Sequence, residues 1–331
     1  MGENSTMLTR RRLMTSSLAL MASTAADSLS AQVTSKPVRV IVGFPAGGGT
    51  DVIARLLAEG LHSVYATVIV ENKPGGAARL SVEYVKNSEP DGATMLFTPD
   101  FPITVYPHSF RALNYDPLHD LIPVAPTAIS TLTFNIGPAV PDTVKTLRDF
   151  VAWCKANPGK AAYATTSPGG TPHFVGVMLS TSAGVSMQPV HYHGGAPALQ
   201  DLIGGHVPAS INPIGEAMPL AQQGALRILA ITGPQRSKFL PDVPTMKESG
   251  YDVVINDWLG VFLPARTPDE RVSALSRALE TVVKSPEYAD GITKFGNEPA
   301  FQTSAEFAAR VKAETDQWGP VVKASGFVAD D

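Results

Sequence analysis

The chain contains the same local unit twice: a short apolar run, a glycine- and proline-rich loop, then an amphipathic stretch. Residues 38–61 read VRVIVGFPAGGGTDVIARLLAEGL, and residues 161–180 read AAYATTSPGGTPHFVGVMLS. The first run is rich in β-branched residues and reads as a buried strand. After it Val52, Ile53, Leu56, Leu57 and Leu61 recur at helical spacing, with Thr50 or Asp51 available as the N-cap. In the second unit Phe174, Val175, Met178 and Leu179 mark the helix that follows TTSPGGT. Units of this kind build open α/β sheets, whose ligands sit beyond the carboxyl ends of the strands, where such loops lie. Two of them about 120 residues apart predict two similar lobes with a cleft between them.

The remaining pattern agrees with an α/β chain. TVIVEN (67–72) reads as a second strand, and the PDG turn at 90–92 leads into a third, ATMLFTP (93–99). Val144, Leu147, Val151 and Cys154 share one helix face, stopped by NPG at 157–159. That spacing puts Cys154 on the buried side, as a structural thiol. Two later helices carry Val272, Leu275, Leu279 and Val282, and Phe307, Ala308, Val311, Thr315 and Trp318. Gly319-Pro320 is expected to stop the second of these.

Composition narrows the partners. Hydrophobic residues at 44% and charged residues at 17% fit a folded globular protein. A formal charge of −4 leaves no electrostatic footprint for nucleic acid or an acidic membrane. The single cysteine excludes an internal disulfide and any cysteine metal cluster. At the amino end Arg10, Arg11 and Arg12 precede a short apolar run and then SLSAQ. Residues 1–31 therefore read as an export signal, for which the arginines permit either the general secretory or the twin-arginine route. A disordered basic arm is the plainer alternative. No later segment carries 18 uninterrupted apolar residues, so a periplasmic, soluble protein is expected.

The glycine loops set the chemistry. A helix amino terminus has unpaired N–H groups and a partial positive charge, and glycines before it let an anion touch bare backbone. AGGGTD lacks the Lys-Ser/Thr of a phosphate-binding loop and the G-x-G-x-x-G of a dinucleotide fold. A small carboxylate is the favoured anion, against a glycine turn with no ligand. Catalytic and metal sets are thin. His191 and His193 stand at strand spacing, which suits a metal pair or two surface histidines, and no third ligand lies at a recognisable distance. Ser167 and His173 invite a hydrolase reading, yet no G-x-S-x-G elbow is present, and His173 falls early in a helix where packing or capping is ordinary. Asp51 caps its helix or meets the ligand. No cofactor motif stands in the chain.

Several segments together resemble a known family. They are PVRVIVGFPAGGGTDVIARLLAEGL, VIVENKPGG, SEPDGATMLFTP, NYDPLHDLIPVA, NPGKAAYATTSPGGTPHFVG, YHGGAPALQDLIGGHV, ILAITGPQRSKFLPDVPTMKESGY and WLGVFLPARTP, in that order across residues 36–328. The chain resembles the Bug family, the periplasmic solute-binding receptors of tripartite tricarboxylate transporters. The resemblance implies an α/β, two-lobed periplasmic-binding-protein (Venus flytrap) fold with a ligand cleft between the lobes. It places residues 33–134 plus 256–331 in lobe one and 135–255 in lobe two. It implies a receptor and not an enzyme, with no cofactor and no metal. Its partners would be a small organic acid and the membrane permease subunits. Sensing for a two-component kinase is the alternative, and an exported hydrolase a weaker one.

By the same resemblance Phe44, Ala46, Gly47, Gly48, Gly49, Thr50 and Asp51 hold one end of the ligand, helped by Thr98. Ser167, Gly169 and Thr171 reach it from lobe two. The family commonly writes G-x-G-T-x-x-H in the second loop, where this chain reads SPGGTPH, so the loop's hydroxyls are moved. His193 stands where Lys or Arg is frequent, and a histidine there would make carboxylate capture depend on pH. Asn212 replaces a common acidic residue. It neither repels a carboxylate nor salt-bridges an ammonium group, which favours a dicarboxylate or an aromatic acid over an amino acid.

Overall fold

The first apolar run forms β1 (Val38–Val42) and the helical spacing after it forms α1 (Gly49–Leu61), in a computed structural model that describes residues 36–329. The export signal expected over residues 1–31 lies outside the described residues. Next come β2 (Val68–Asn72), α2 (Arg79–Lys86), β3 (Thr94–Pro99) and β4 (Leu121–Ser130). The middle of the chain supplies β5 (Leu132–Ile136), α3 (Leu147–Ala156), β6 (Ala162–Thr165), α4 (Thr171–Ala183) and β7 (Gln188–His191). It continues through α5 (Gly195–Ile203), β8 (Ala209–Pro213), α6 (Ile214–Gln222) and β9 (Arg227–Ile231). The last part holds β10 (Asp257–Pro264), α7 (Asp269–Val283), α8 (Pro286–Thr293), β11 (Glu298–Pro299) and α9 (Ser304–Ser325).

These strands make two sheets. One has the order β11-β4-β10-β3-β1-β2, the other β7-β6-β8-β5-β9. β1 is parallel to both its neighbours, and so is β6. Each is therefore a strand from which the chain leaves toward either side, the place where loops diverge and open a crevice. Thr131 alone separates β4 of the first sheet from β5 of the second, so the chain changes sheets there and returns at β10. The lobe change expected at residues 134 and 135 falls inside β5.

β1 is apolar at nearly every position because both its faces are covered. Val40 and Val42 meet Ile53 and Leu57 of α1 with Leu275 and Leu279 of α7, whereas Ile41 faces Leu96, Trp258 and Phe307. In the second lobe Phe134, Phe150, Tyr163 and Leu179 form the corresponding core, and Cys154 is buried among them.

Three local expectations are corrected. The N-cap of α1 is Gly48, with Thr50 and Asp51 inside the first turn, because Asp51 turns back to bond the loop instead of its own helix end. Val144 lies ahead of α3, which starts at the Thr146–Asp149 capping box. α9 does not stop at Gly319-Pro320 but continues to Ser325 and ends at Gly326 with φ +68°. An interior proline costs about 3 kcal/mol, and Trp318 and Val322 offset that by burying their side chains with Phe101, Tyr106 and Phe174.

Candidate functional site

The loops after β1, β6 and β7 meet the start of α6 around a cavity of about 240 Å³. Its first-lobe wall is Phe44, Gly47, Gly49 and Thr50, with Phe101 and Leu259 behind; its second-lobe wall includes Thr166, Gly194, Gly195 and Glu216. Among the described residues no Lys, Arg or His lines it. Phe44 and Phe101 stack edge to face, centroids 6.0 Å apart, and give the floor its apolar character. A wider mouth of about 580 Å³ opens outside it, lined by Ala46, Gly48, His193, Gln200 and Leu220, and sharing Gly47, Gly49 and Glu216 with the inner cavity. A third cavity, of about 310 Å³, lies between the 74–78 loop and Ser167.

The loop glycines have separate reasons. Gly47 adopts φ +82°, a conformation that costs other residues about 1–2 kcal/mol. Gly49 is the first residue of α1, and its missing side chain leaves room for a carboxylate: a Cβ there would stand 3.2 Å from Glu216 Oε1. Gly195 opens α5 in the same way, and a Cβ there would fall 1.6 Å from Glu216 Oε2. Two helix amino termini, one from each lobe, thus point at one place between the lobes.

The structure brings Phe44, Ala46, Gly47, Gly48, Gly49, Thr50 and His193 to the cavity and its mouth, and Ser167 to the adjoining one. It sets the others behind those walls. Asp51 is 2% exposed and accepts hydrogen bonds from the Gly47 N–H, Arg55 and Asn72. Thr98 is buried on β3 opposite Gly260, and its hydroxyl has no hydrogen-bond partner. The Gly169 carbonyl accepts from Ser109 Oγ, and its N–H donates to His173 Nδ1. Thr171 Oγ1 donates to Asp100 Oδ2 at 2.9 Å. Asn212 Nδ2 donates to Glu216 Oε2 and to the Gly195 carbonyl.

Neither the metal nor the hydrolase pair assembles. β7 ends at His191, whose ring packs against His173 at 4.8 Å, while His193 turns to the mouth. No group of three or more metal-ligating side chains occurs among the described residues. Ser167 Oγ has no hydrogen-bond partner, so it is not joined to His173. Burial, helped by His191, pushes the His173 pKa down to about 3, which keeps the ring neutral and able to accept the Gly169 N–H. Its role is to close the loop onto α4.

Three acids escaped the sequence reading. Glu216 stands in the first turn of α6, within INPIGEA, where a lone charge in an apolar stretch was the available signal. Burial raises its pKa, against the lowering effect of the Asn212 amide and the Gly49 N–H. Asp257, at the start of β10, also lines the cavity and contacts Asp100. Burial pushes Asp100 up to about 6 and Asp257 well above its ordinary value, so the pair holds a proton at neutral pH. Nothing local in the sequence brings Asp100 and Asp257 together.

Known proteins share this fold. The sequence profile described as tripartite tricarboxylate transporter family receptor matches residues 53–327. Protein BugT of Bordetella pertussis is 31% identical over 294 residues, which span 88% of this chain and 90% of BugT. The periplasmic binding protein BugD matches in structure with a TM-score of 0.83 at 28% identity, over 90% of this chain and 100% of its own. R. palustris Rpa4515 with adipate matches with a TM-score of 0.84 at 28% identity, over 89% of this chain and 98% of its own. The two-lobed periplasmic-binding-protein fold expected from the sequence is the fold observed. The chain belongs to the family of tripartite tricarboxylate transporter receptors.

Proposed function

We propose that this chain is an extracytoplasmic receptor that captures a small organic carboxylate between its lobes and hands it to the permease subunits of a tripartite tricarboxylate transporter. The observation that carries the reading is the meeting of two glycine-started helices, α1 and α5, on one cavity between the lobes. Backbone N–H groups and helix dipoles hold an anion there without a cationic side chain. The adipate in Rpa4515 supports the carboxylate class. A dicarboxylate or an aromatic acid suits a cavity of about 240 Å³ walled by Phe44, Phe101 and Phe295.

In this reading the lobes are residues 36–131 with 257–329, and 132–256. Phe44 to Thr50 hold the ligand from the first, and Ser167, His193 and Gly194 reach it from the second. Capture closes the lobes, since each alone satisfies only part of the ligand. Residues 1–31 direct export, and the periplasm is the working compartment. No helix of the described residues is long and apolar enough to cross a membrane. Binding requires no catalytic group, and we assign none. Sensing for a kinase has no observation in its favour.

A thermal-shift screen of the exported form against small mono- and dicarboxylates, amino acids and neutral metabolites tests the reading. A ligand at 100 times its Kd stabilises by about 2.7 kcal/mol, a shift of several degrees. A carboxylate hit is expected. Folded, ligand-free protein that responds to none of the acids would overturn it.

A further inference from the structure

The seat described above is occupied by the protein itself. The Glu216 carboxylate lies between the first residues of α1 and α5, with Oε2 where a side chain on Gly195 would stand and Oε1 3.2 Å from where Gly49 would carry a Cβ. The Gly49 N–H faces it from the first lobe, and the Asn212 amide donates to Oε2 at 3.4 Å from the second. It is thus a resident carboxylate at the junction of two positive helix ends, held across the cleft. Glu216 also forms part of the wall of both the inner cavity and the wider mouth, so its side chain has open volume on either side.

We propose that Glu216 sets the affinity and selectivity of the site: it occupies the anion seat, and an incoming ligand carboxylate must displace it into the mouth. The inference rests on the carboxylate reading given above. Two ionised carboxylates cannot share one seat at contact distance without a proton between them, so ligand and Glu216 exclude one another. Among the described residues the inner cavity has no cationic side chain to neutralise the second charge, and Asp257 adds another acid to its wall. Displacement therefore subtracts from the affinity for every anion. An acid whose remaining body fills the apolar floor recovers most of that loss, and a small one such as formate or acetate does not. Glu216 thereby rejects small anions at the seat that backbone N–H groups alone would accept.

The test is calorimetric titration of the wild-type protein, Glu216→Gln and Glu216→Ala with adipate, malate, benzoate and acetate, each variant first shown to melt cooperatively. Glu216→Gln keeps the shape of the side chain and removes its charge, which guards against a packing effect of the alanine. Both variants are expected to bind the acids about tenfold more tightly than wild type, and to gain measurable acetate binding. Unchanged or weaker binding in both variants, with wild type binding at least one acid, overturns the displacement and leaves the carboxylate reading standing. Failure of wild type and both variants to bind any of the four, together with a blank in the wider acid screen, overturns the carboxylate reading and the displacement with it.

Discussion

The Asp51 carboxylate accepts the Gly47 backbone N–H at 2.8 Å, folding the glycine loop back onto the first turn of the helix it precedes. The same carboxylate receives the Asn72 amide at 2.8 Å, and that amide also donates to the Phe44 carbonyl. One buried acid therefore ties together both ends of the loop and the end of β2. Its place is structural support behind the ligand wall.

Replacing Asp51 by Ala should cost about 1–3 kcal/mol, the usual loss when partnered donors are stranded. The pair with Arg55 adds little, since that guanidinium is half exposed. Burial raises the Asp51 pKa, but the bonds from Arg55, Gly47 and Asn72 outweigh it and bring the pKa below the ordinary value. Its contribution is thus present above the ordinary carboxylate range and lost as pH falls below it. Thermal melts of Asp51→Ala at pH 7 check this; a melting temperature equal to wild type's would remove Asp51 from the account.

The adjoining glycines should respond differently to substitution. Gly47→Ala forces an L-residue to φ +82° and should cost about 1–2 kcal/mol. Gly48 has φ −74°, and a Cβ there meets only the Pro45 carbonyl, at 3.3 Å. Gly48→Val should therefore leave the lobe folded, at a cost of about 1 kcal/mol for a branched residue at the N-cap, while its side chain covers the mouth and abolishes binding. Paired melts and titrations of the two variants separate these effects, and unchanged affinity in Gly48→Val would refute the second.

Cys154 provides a test of the second lobe. The side chain is fully buried on α3, and burial alone pushes its thiol up to about 12. A thiol reagent at pH 8 should label it only as fast as the lobe unfolds, with full labelling in denaturant. Rapid stoichiometric labelling of the native protein would contradict the packing of α3.

The α/β alternation, both loop-and-helix units and the buried face of Cys154 were legible because each signal is local. A β-branched run, a glycine cluster and helical spacing announce themselves within a dozen residues. The misread points depend on neighbours distant in sequence. Gly319 looked like a helix stop, but a Cβ there would stand 3.2 Å from the His108 ring, which bonds the Thr315 carbonyl at 2.7 Å. That glycine admits a close approach in mid-helix. Asp51 looked like a cap, and its partners Asn72 and Gly47 drew it elsewhere. Glu216 and the acid pair were invisible for the same reason: their meaning comes from what another lobe or strand places beside them.

That acid pair carries the last prediction. Thr171, at the start of α4, donates to Asp100 Oδ2, and Asp100 contacts Asp257 at the start of β10. Burial is the main cause that raises both carboxyls, and for Asp257 the charge of Asp100 adds to it. In the unfolded chain each titrates near its ordinary value of 3.8, whereas folded Asp100 titrates at about 6. Between those values the folded protein keeps a proton that the unfolded chain has released. Asp100's contribution is thus fully present below about pH 3.8 and is lost as pH rises through about 6, and that of Asp257, raised well above its ordinary value, is lost at higher pH. His173 acts in the opposite sense: burial, with His191, lowers it from 6.5 to about 3, so its contribution is present above 6.5 and lost as pH falls through 3. The two partly cancel in wild type. Asp257→Asn separates them, since it removes one acid, keeps a side chain that bonds Asp100, and leaves His173 in place. The variant should be more stable than wild type at pH 8, where wild type must keep on Asp257 a proton that the unfolded chain has released, each pKa unit of such a shift being worth about 1.4 kcal/mol. Its advantage should vanish near pH 4, where both proteins hold the proton. Melting curves of the two proteins at intervals from pH 4 to 8 decide it; a variant less stable than wild type at pH 8 would mean that the Asp257 charge is satisfied in the fold and that the pair does not share a proton.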